Sequence, residues 1–369
     1  MLTGDYQEPG VADIADYPVR RILGRQLGSE KLNKLAECRK FLRVVGEVQP
    51  QLIYFWSQSE ICLALAPLAR LRGIPAAFFL SDTSFVSWRV GAWLFNWARR
   101  NKFIRAVFGR SLLVTGYPIV KGHPCHFASQ FLWDVARRHN ISVSETASEV
   151  IHWGISPALL PADIRERRPA RRLLYAGQLI PEKGVHTAIA ALGYFAGEAE
   201  FATITLTIAG GGRNLEYEKA LRALPAQLGI GERVQFLGKI PRETLSSIYR
   251  EHDILVFPSE WEEPFAITPL EAMAAGLVVV GTLTGGSGEL FRDRETAMTF
   301  ATGDAKDCAR AIRELVLNRD LWESISHTGK QEVLEHHTLE VMVDRIEASL
   351  GQICGVRPVS HAGEPAVYG

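Results

Sequence analysis

The sequence predicts an α/β protein of two doubly wound domains, and three observations carry that prediction. Short apolar runs rich in β-branched and aromatic residues recur along the 369 residues, each ending on glycine or a polar turn, as buried parallel strands do. Segments with helical periodicity follow most of them, which makes strand–helix–strand units. An Arg-rich polar stretch, PADIRERRPARR, separates two patterned halves and reads as an interdomain linker. The expected division is residues 1–155, residues 156–338, a C-terminal helix over 339–354 and a loose tail over 355–369.

The first 50 residues give weak signals: a short polar segment over Asp13–Gln26, then an amphipathic helix over Leu32–Val48 with Leu35, Cys38, Leu42 and Val45 on one stripe. Leu52–Trp56 reads as a buried strand, Ile61–Arg72 as a helix closed by Gly73, and Pro75–Leu80 as the next strand. Leu112–Thr115 and Cys125–Ala128 read as two more strands. Ser129 caps a helix over Gln130–His139, and Glu149–His152 leads toward the linker. Residues 84–110 interleave Phe85, Trp88, Trp93, Phe95, Trp97, Phe103 and Phe108 with Arg89, Arg99, Arg100, Lys102 and Arg105. Such a segment fits a core helix with snorkelling arginines, and it also fits a helix lying on a membrane surface.

The second half is more regular. Strands are expected at Arg172–Ala176, Ile204–Ala209, Val234–Leu237, Ile254–Phe257 and Leu277–Val280. Helices are expected at Val185–Tyr194, Tyr217–Leu228, Leu245–Glu251, Ala305–Leu317 and Leu339–Leu350. Between the last two strands lies EWEEPFAITPLEAMAAG. There Thr268 is placed to cap a helix, Pro269 to open it and Glu271 to close a capping box, with Gly276 as the stop. That helix N-terminus would face the strand-end crevice, where phosphates bind well.

Composition narrows the function classes. Charges balance overall, with 41 Lys and Arg against 41 Asp and Glu, but residues 1–155 carry 19 against 12 and the remainder 22 against 29. A basic first half suits an anionic partner or solvated surface alike. Five scattered cysteines form no CxxC or Cys/His cluster, which disfavours disulfide frameworks and zinc sites. The N-terminus lacks a signal-peptide pattern and no apolar run approaches transmembrane length, so a cytoplasmic protein is expected, peripheral at the inner membrane face if residues 84–110 bind lipid. The Arg-rich stretch has no aromatic stacking series beside it, which argues against nucleic acid. Gly210-Gly211-Gly212 follows a strand, but Leu215 stands where a dinucleotide fingerprint needs its third glycine.

Glu263 and Glu271 bracket the polar turn with seven residues between them, Pro264-Phe265 after the first and Ala272-Met273-Ala274 after the second. On spacing alone Glu271 is equally a capping partner, and Glu263 a solvated loop acid. With Gly285-Gly286…Glu289 downstream, AGQLIPEKG at 176–184, and the IAGGG and FLGKI strand ends, the series resembles retaining glycosyltransferases of family 4. The resemblance is close over 170–350 and loose over 50–155.

That resemblance implies a GT-B fold of two Rossmann-like domains and a nucleoside diphosphate sugar as donor, with no cofactor and no required metal. Lys183 would neutralise the diphosphate beside Gly177 and Gln178. Glu263 would meet hydroxyls of the transferred sugar, and Glu271 those of the ribose. Phe265, Ala266 and Ile267 would present N–H groups to the distal phosphate, with Gly210 and Gly211 facing the donor and Leu237 and Gly238 beside the base. Catalysis would rest on Glu263 and Lys183 through positioning and leaving-group stabilisation, with Ser81 and Asp82 on the acceptor side. The acceptor would be a carbohydrate, a growing polysaccharide or a lipid-linked hydroxyl.

Three positions depart from the family pattern. Gln178 replaces an arginine, Ala266 a glycine, and Ser81-Asp82 a His-Asp pair. They keep open a second reading, a non-catalytic sugar-nucleotide-binding or partner protein on the same scaffold. The first domain also shows about four strands where the resemblance calls for six or seven, so it is expected to be truncated.

Overall fold

The computed structural model describes residues 2–3, 20–21, 30–56, 60–87, 119–156, 170–212 and 214–355. Residues 161–169 of the expected linker, the aromatic–basic residues 88–110, the strand at Leu112–Thr115 and the tail over 356–369 lie outside them. Contacts divide the chain into two compact units. The first runs to His126 and includes Ala136–Glu149 and Gln352–Val356; the second holds Phe127–Val135 and Val150–Gly351.

In the first unit, β1 (Leu2–Thr3) pairs in parallel with β2 (Arg20–Arg21). Helix α1 (Glu30–Val48), strand β3 (Ile53–Phe55), helix α2 (Glu60–Leu71) and strand β4 (Ala76–Leu80) follow as the apolar spacing predicts. Strands β5 (Cys125–Phe127) and β6 (Glu149–Val150) complete a four-stranded sheet of order β3-β4-β5-β6. All five residues of β4 are buried, as expected of a strand covered on both faces. Phe55 stacks on Phe78 and Trp56 on Phe79. Helix α3 (Gln130–Arg138) opens in the second unit, where its first residues count.

The second unit is built on a six-stranded parallel sheet. Its elements are β7 (Arg172–Ala176), α4 (Val185–Gly193), β8 (Thr205–Ala209), α5 (Leu215–Gln227), β9 (Val234–Gly238), α6 (Arg242–Glu251), β10 (Ile254–Phe257), α7 (Ile267–Ala274), β11 (Val278–Gly281), β12 (Met298–Thr299), α8 (Ala305–Leu317), α9 (Arg319–His336) and α10 (Leu339–Cys354). The sheet order is β12-β11-β10-β7-β8-β9. Every residue of β10 and β11 is buried. Leu173, Leu206, Ile254 and Val278 from the sheet pack with Ile189 and Leu192 of α4 and Ile312 and Leu315 of α8 in one core. Burial of this kind contributes about 25 cal/mol per Å² of apolar surface.

The structure corrects the sequence reading in three places. Helix α7 begins at Ile267 with Ala266 as N-cap and has no side-chain cap. Thr268 therefore lies inside the helix, and Glu271 is no capping-box partner. Helix α9 was not expected; its start is fixed by the Asn318 side chain, which accepts from the Leu321 N–H. Strand β12 was missed because two residues carry no periodicity.

Candidate active site

In an open parallel sheet, ligands bind beyond the carboxyl ends of strands where the chain order reverses. Here that point lies between β7 and β10, which are neighbours although β8 and β9 intervene in sequence. The turns after these two strands are interlocked: the Glu182 carbonyl accepts from both Glu260 N (2.8 Å) and Trp261 N (3.0 Å).

Glycines let the strand ends come this close. Gly210 has φ +152°, and a Cβ there would stand 1.8 Å from the Gly177 carbonyl oxygen. Its N–H donates to Gly238 O at 2.8 Å, and Gly177 N donates to Ala209 O at 3.0 Å. Gly177, Gly210 and Gly238 thus line the ends of three adjacent strands as bare backbone, with Gln178 exposed beside them. Gly184, at φ +63°, ends the turn carrying Lys183; a Cβ there would meet Pro258 O at 1.9 Å.

Lys183 and Glu263 meet at this point. The Lys183 ammonium forms an ion pair with Glu263 Oε1. The same oxygen accepts from Ser259 Oγ at 2.7 Å. The Glu263 side chain is 8 % exposed and that of Lys183 26 %, so the cation retains an open face. A pair of this kind is held by geometry and can share its ammonium with an incoming anion.

Glu271 projects from α7 toward α6. Its Oε2 accepts from Tyr249 OH at 2.9 Å and its Oε1 from Arg242 at 3.3 Å. Burial raises its pKa, against the opposing pull of Tyr249 and Arg242, and burial with the nearby Glu271 charge pushes the Tyr249 phenol well up. Between the two carboxylates run Phe265 and Ala266, both buried, and the N-terminus of α7, whose N-cap Ala266 has no side chain able to cap its N–H groups. Leu237 stands 37 % exposed near the end of β9. In the first unit, Asp82 Oδ1 accepts from Ser84 N at 2.7 Å, which fixes the turn that follows β4 and Ser81.

Several partners were missed at the sequence level. Ser259, Tyr249 and Arg242 gave no motif signal. Ser129 caps α3 as expected, through Leu132 N at 3.2 Å, but the further groups that Ser129 and His152 touch stand more than 100 residues on, and Glu289 was read only as part of a glycine-rich match. Ser129 Oγ donates to Pro264 O at 2.5 Å, and His152 Nε2 donates to Glu289 Oε2 at 3.0 Å.

The glycosyl transferases group 1 family model matches residues 160–332, the stretch that contains all of these second-unit strand ends. Residues 160–332 are a glycosyl transferases group 1 domain. An uncharacterised glycosyltransferase of Methanocaldococcus jannaschii is 31 % identical over 168 residues, 46 % of this chain and 41 % of the relative. A glycogen synthase of Mycobacterium tuberculosis is 36 % identical over 172 residues, 45 % of this chain and 39 % of the relative. The chain thus spans about two-fifths of the length of these curated relatives. The crystal structure of Anabaena HepE in complex with UDP superposes with a TM-score of 0.68 at 18 % identity, covering 91 % of this chain and 86 % of that one. The fold is the GT-B type of α/β architecture, with one parallel sheet of the group 1 domain and a second, smaller sheet.

Proposed function

We propose that the protein transfers a glycosyl group from a nucleoside diphosphate sugar to a hydroxyl acceptor with retention of configuration. The observation that carries this reading is the Lys183–Glu263 pair at the switch point, beside the uncapped N-terminus of α7. Lys183 neutralises the diphosphate, and the N–H groups at Phe265, Ala266 and Ile267 receive the distal phosphate. Glu263 orients the transferred sugar, and Glu271, steadied by Tyr249, takes the ribose hydroxyls. The backbone of Gly177, Gln178, Gly210 and Gly211 allows close approach to the donor, and Leu237 and Gly238 flank the base. The acceptor oxygen bonds to the anomeric carbon, the bond to the leaving phosphate breaks, and the acceptor proton passes to that phosphate. Rate acceleration comes from positioning and from stabilising the leaving diphosphate, with no metal or cofactor called for.

HepE was crystallised with UDP, which makes UDP the first nucleotide to try. The acceptor is a carbohydrate or lipid-linked hydroxyl, with Ser81 and Asp82 on its side and action at the inner membrane face. Among the described residues no helix is long and apolar enough to cross a membrane.

A thermal-shift series with UDP, ADP and GDP, followed by UDP-glucose hydrolysis, tests this. Ligand at 100 times its Kd stabilises the native state by about 2.7 kcal/mol. No shift with any nucleoside diphosphate would remove the donor site. Gln178, neutral and exposed at the diphosphate end, favours a second reading: a non-catalytic sugar-nucleotide-binding protein. It predicts a shift on binding with no release of nucleoside diphosphate.

A further inference from the structure

Glu289 follows the Gly285-Gly286-Ser287-Gly288 turn and points its carboxylate at the start of α3. Its Oε2 accepts from Gln130 N at 3.0 Å and its Oε1 from Phe131 N at 2.9 Å, while Ser129 Oγ accepts from Leu132 N at 3.2 Å. The first three free amides of α3 are therefore satisfied by two side chains, one of them charged and set against the positive end of the helix dipole. The third donor to Glu289, His152 Nε2, belongs to a ring lying flat on Phe265, with centroids 4.8 Å apart and planes 6° from parallel. Ser129 Oγ, besides capping, donates to the Pro264 carbonyl.

The same turn grips the loop from its other side. Gly286 N donates to Glu263 O at 2.6 Å. A Cβ at Gly285 would fall 2.3 Å from Glu263 O, and one at Gly286 would fall 2.1 Å from Pro264 O and 2.6 Å from the Ser129 Cβ. Glu263, Pro264 and Phe265 are thus each held by a group that Glu289 or its turn fixes.

We infer that Glu289 is a positioning residue for the donor loop. Through His152 and Ser129 it sets where the backbone of Glu263–Phe265 runs, and hence where the N–H groups at the start of α7 point. This rests on the donor-site reading above. A carboxylate is required because all three partners donate. A glutamine in its place offers one oxygen and one NH2, and the NH2 faces a donor whichever way the amide is turned.

Hydrogen exchange and nucleotide binding together test it, on Glu289→Gln, Glu289→Asp, Glu289→Ala and, as a variant outside the turn, His152→Ala. In Glu289→Gln, amides of residues 265–268 should exchange on the order of 10-fold faster while those of α8 keep wild-type protection. UDP affinity should fall on the order of 10–100-fold, the range for lost support of a binding group. Glu289→Asp should recover part of both effects relative to alanine, and His152→Ala should speed exchange at 265–268 without moving α8. Unchanged exchange at 265–268 in Glu289→Gln and His152→Ala overturns the inference, as does faster exchange everywhere or an aspartate no better than alanine. If the wild type binds no nucleoside diphosphate, the donor-site reading fails, and the exchange data alone decide whether Glu289 holds the loop.

Discussion

Glu263 and Glu271 flank one short loop, yet their surroundings hold them by opposite means. Glu263 is gripped from the strand ends, by Lys183 after β7 and Ser259 after β10, and its charge is matched within the site. Glu271 is gripped from a neighbouring helix, by the Tyr249 hydroxyl and an Arg242 side chain that is itself 65 % exposed. The first acid sits in a preset ion pair whose cation can turn to a phosphate. The second sits where burial raises its pKa, poised to accept hydrogen bonds rather than to balance charge. The difference separates an acid whose charge is matched by a cation from one held mainly by a neutral hydroxyl donor.

The largest expected effect strikes the first acid. Lys183→Ala should weaken nucleoside diphosphate binding by about 2–4 kcal/mol, since it removes the main cation and leaves Glu263 buried without it. Calorimetry showing wild-type affinity would take Lys183 out of the site. A comparable effect, on stability, comes from His337, whose ring lies 5.2 Å from that of His152 and 6.0 Å from that of Phe265. Burial, and next the charge of His152, lower its pKa to about 4. Glu332 opposes this shift, and His336 and Arg345 add to it. The folded state therefore favours the neutral ring. Its contribution is present above pH 6.5 and is lost as pH falls toward 4, amounting to about 3 kcal/mol. Denaturant melts at pH 7 and pH 4.5 on wild type and His337→Gln measure it; an identical pH slope in both would discard the histidine as the cause.

Smaller effects separate the second acid. Tyr249→Phe should cost about 1–2 kcal/mol in stability, because a buried carboxylate loses a donor. Glu271→Gln removes a buried charge, so it should leave the melting temperature nearly unchanged while weakening donor binding by about 1–3 kcal/mol. Equal losses in both measurements would make Glu271 a structural group. Arg242→Ala should change stability by no more than about 0.5 kcal/mol, since the guanidinium is largely in water.

The six-stranded sheet was legible from its sequence because parallel strands buried on both faces leave continuous apolar runs. Arg172–Ala176, Ile254–Phe257 and Ala305–Leu317 fall where expected. The N-terminus of α7 was misplaced by two residues because Thr268-Pro269 imitates a cap, whereas the helix starts at Ile267 after Ala266. Lys183 and Glu263 could be named as neighbours only through the family resemblance, since 80 residues separate them. Ser259, Tyr249 and His152 had no such guide, and Ser129, rightly read as a helix cap, gave no sign of its bond to Pro264. Their roles arise from which turns the sheet order brings side by side, and no local periodicity encodes that.

The close approach of Gly210 to Gly177 has a genetic consequence. Every glycine codon begins GG, so any missense change at codon 210 installs a side chain, and each such side chain starts with the Cβ that would lie 1.8 Å from a carbonyl oxygen. Codon 197 is the natural control: Gly197 also has a positive φ, yet its Cβ would meet nothing within 4 Å. In a saturation library selected for folded protein, position 210 should accept only synonymous changes. Position 197 should still admit asparagine and aspartate, the side chains that best tolerate its backbone angle.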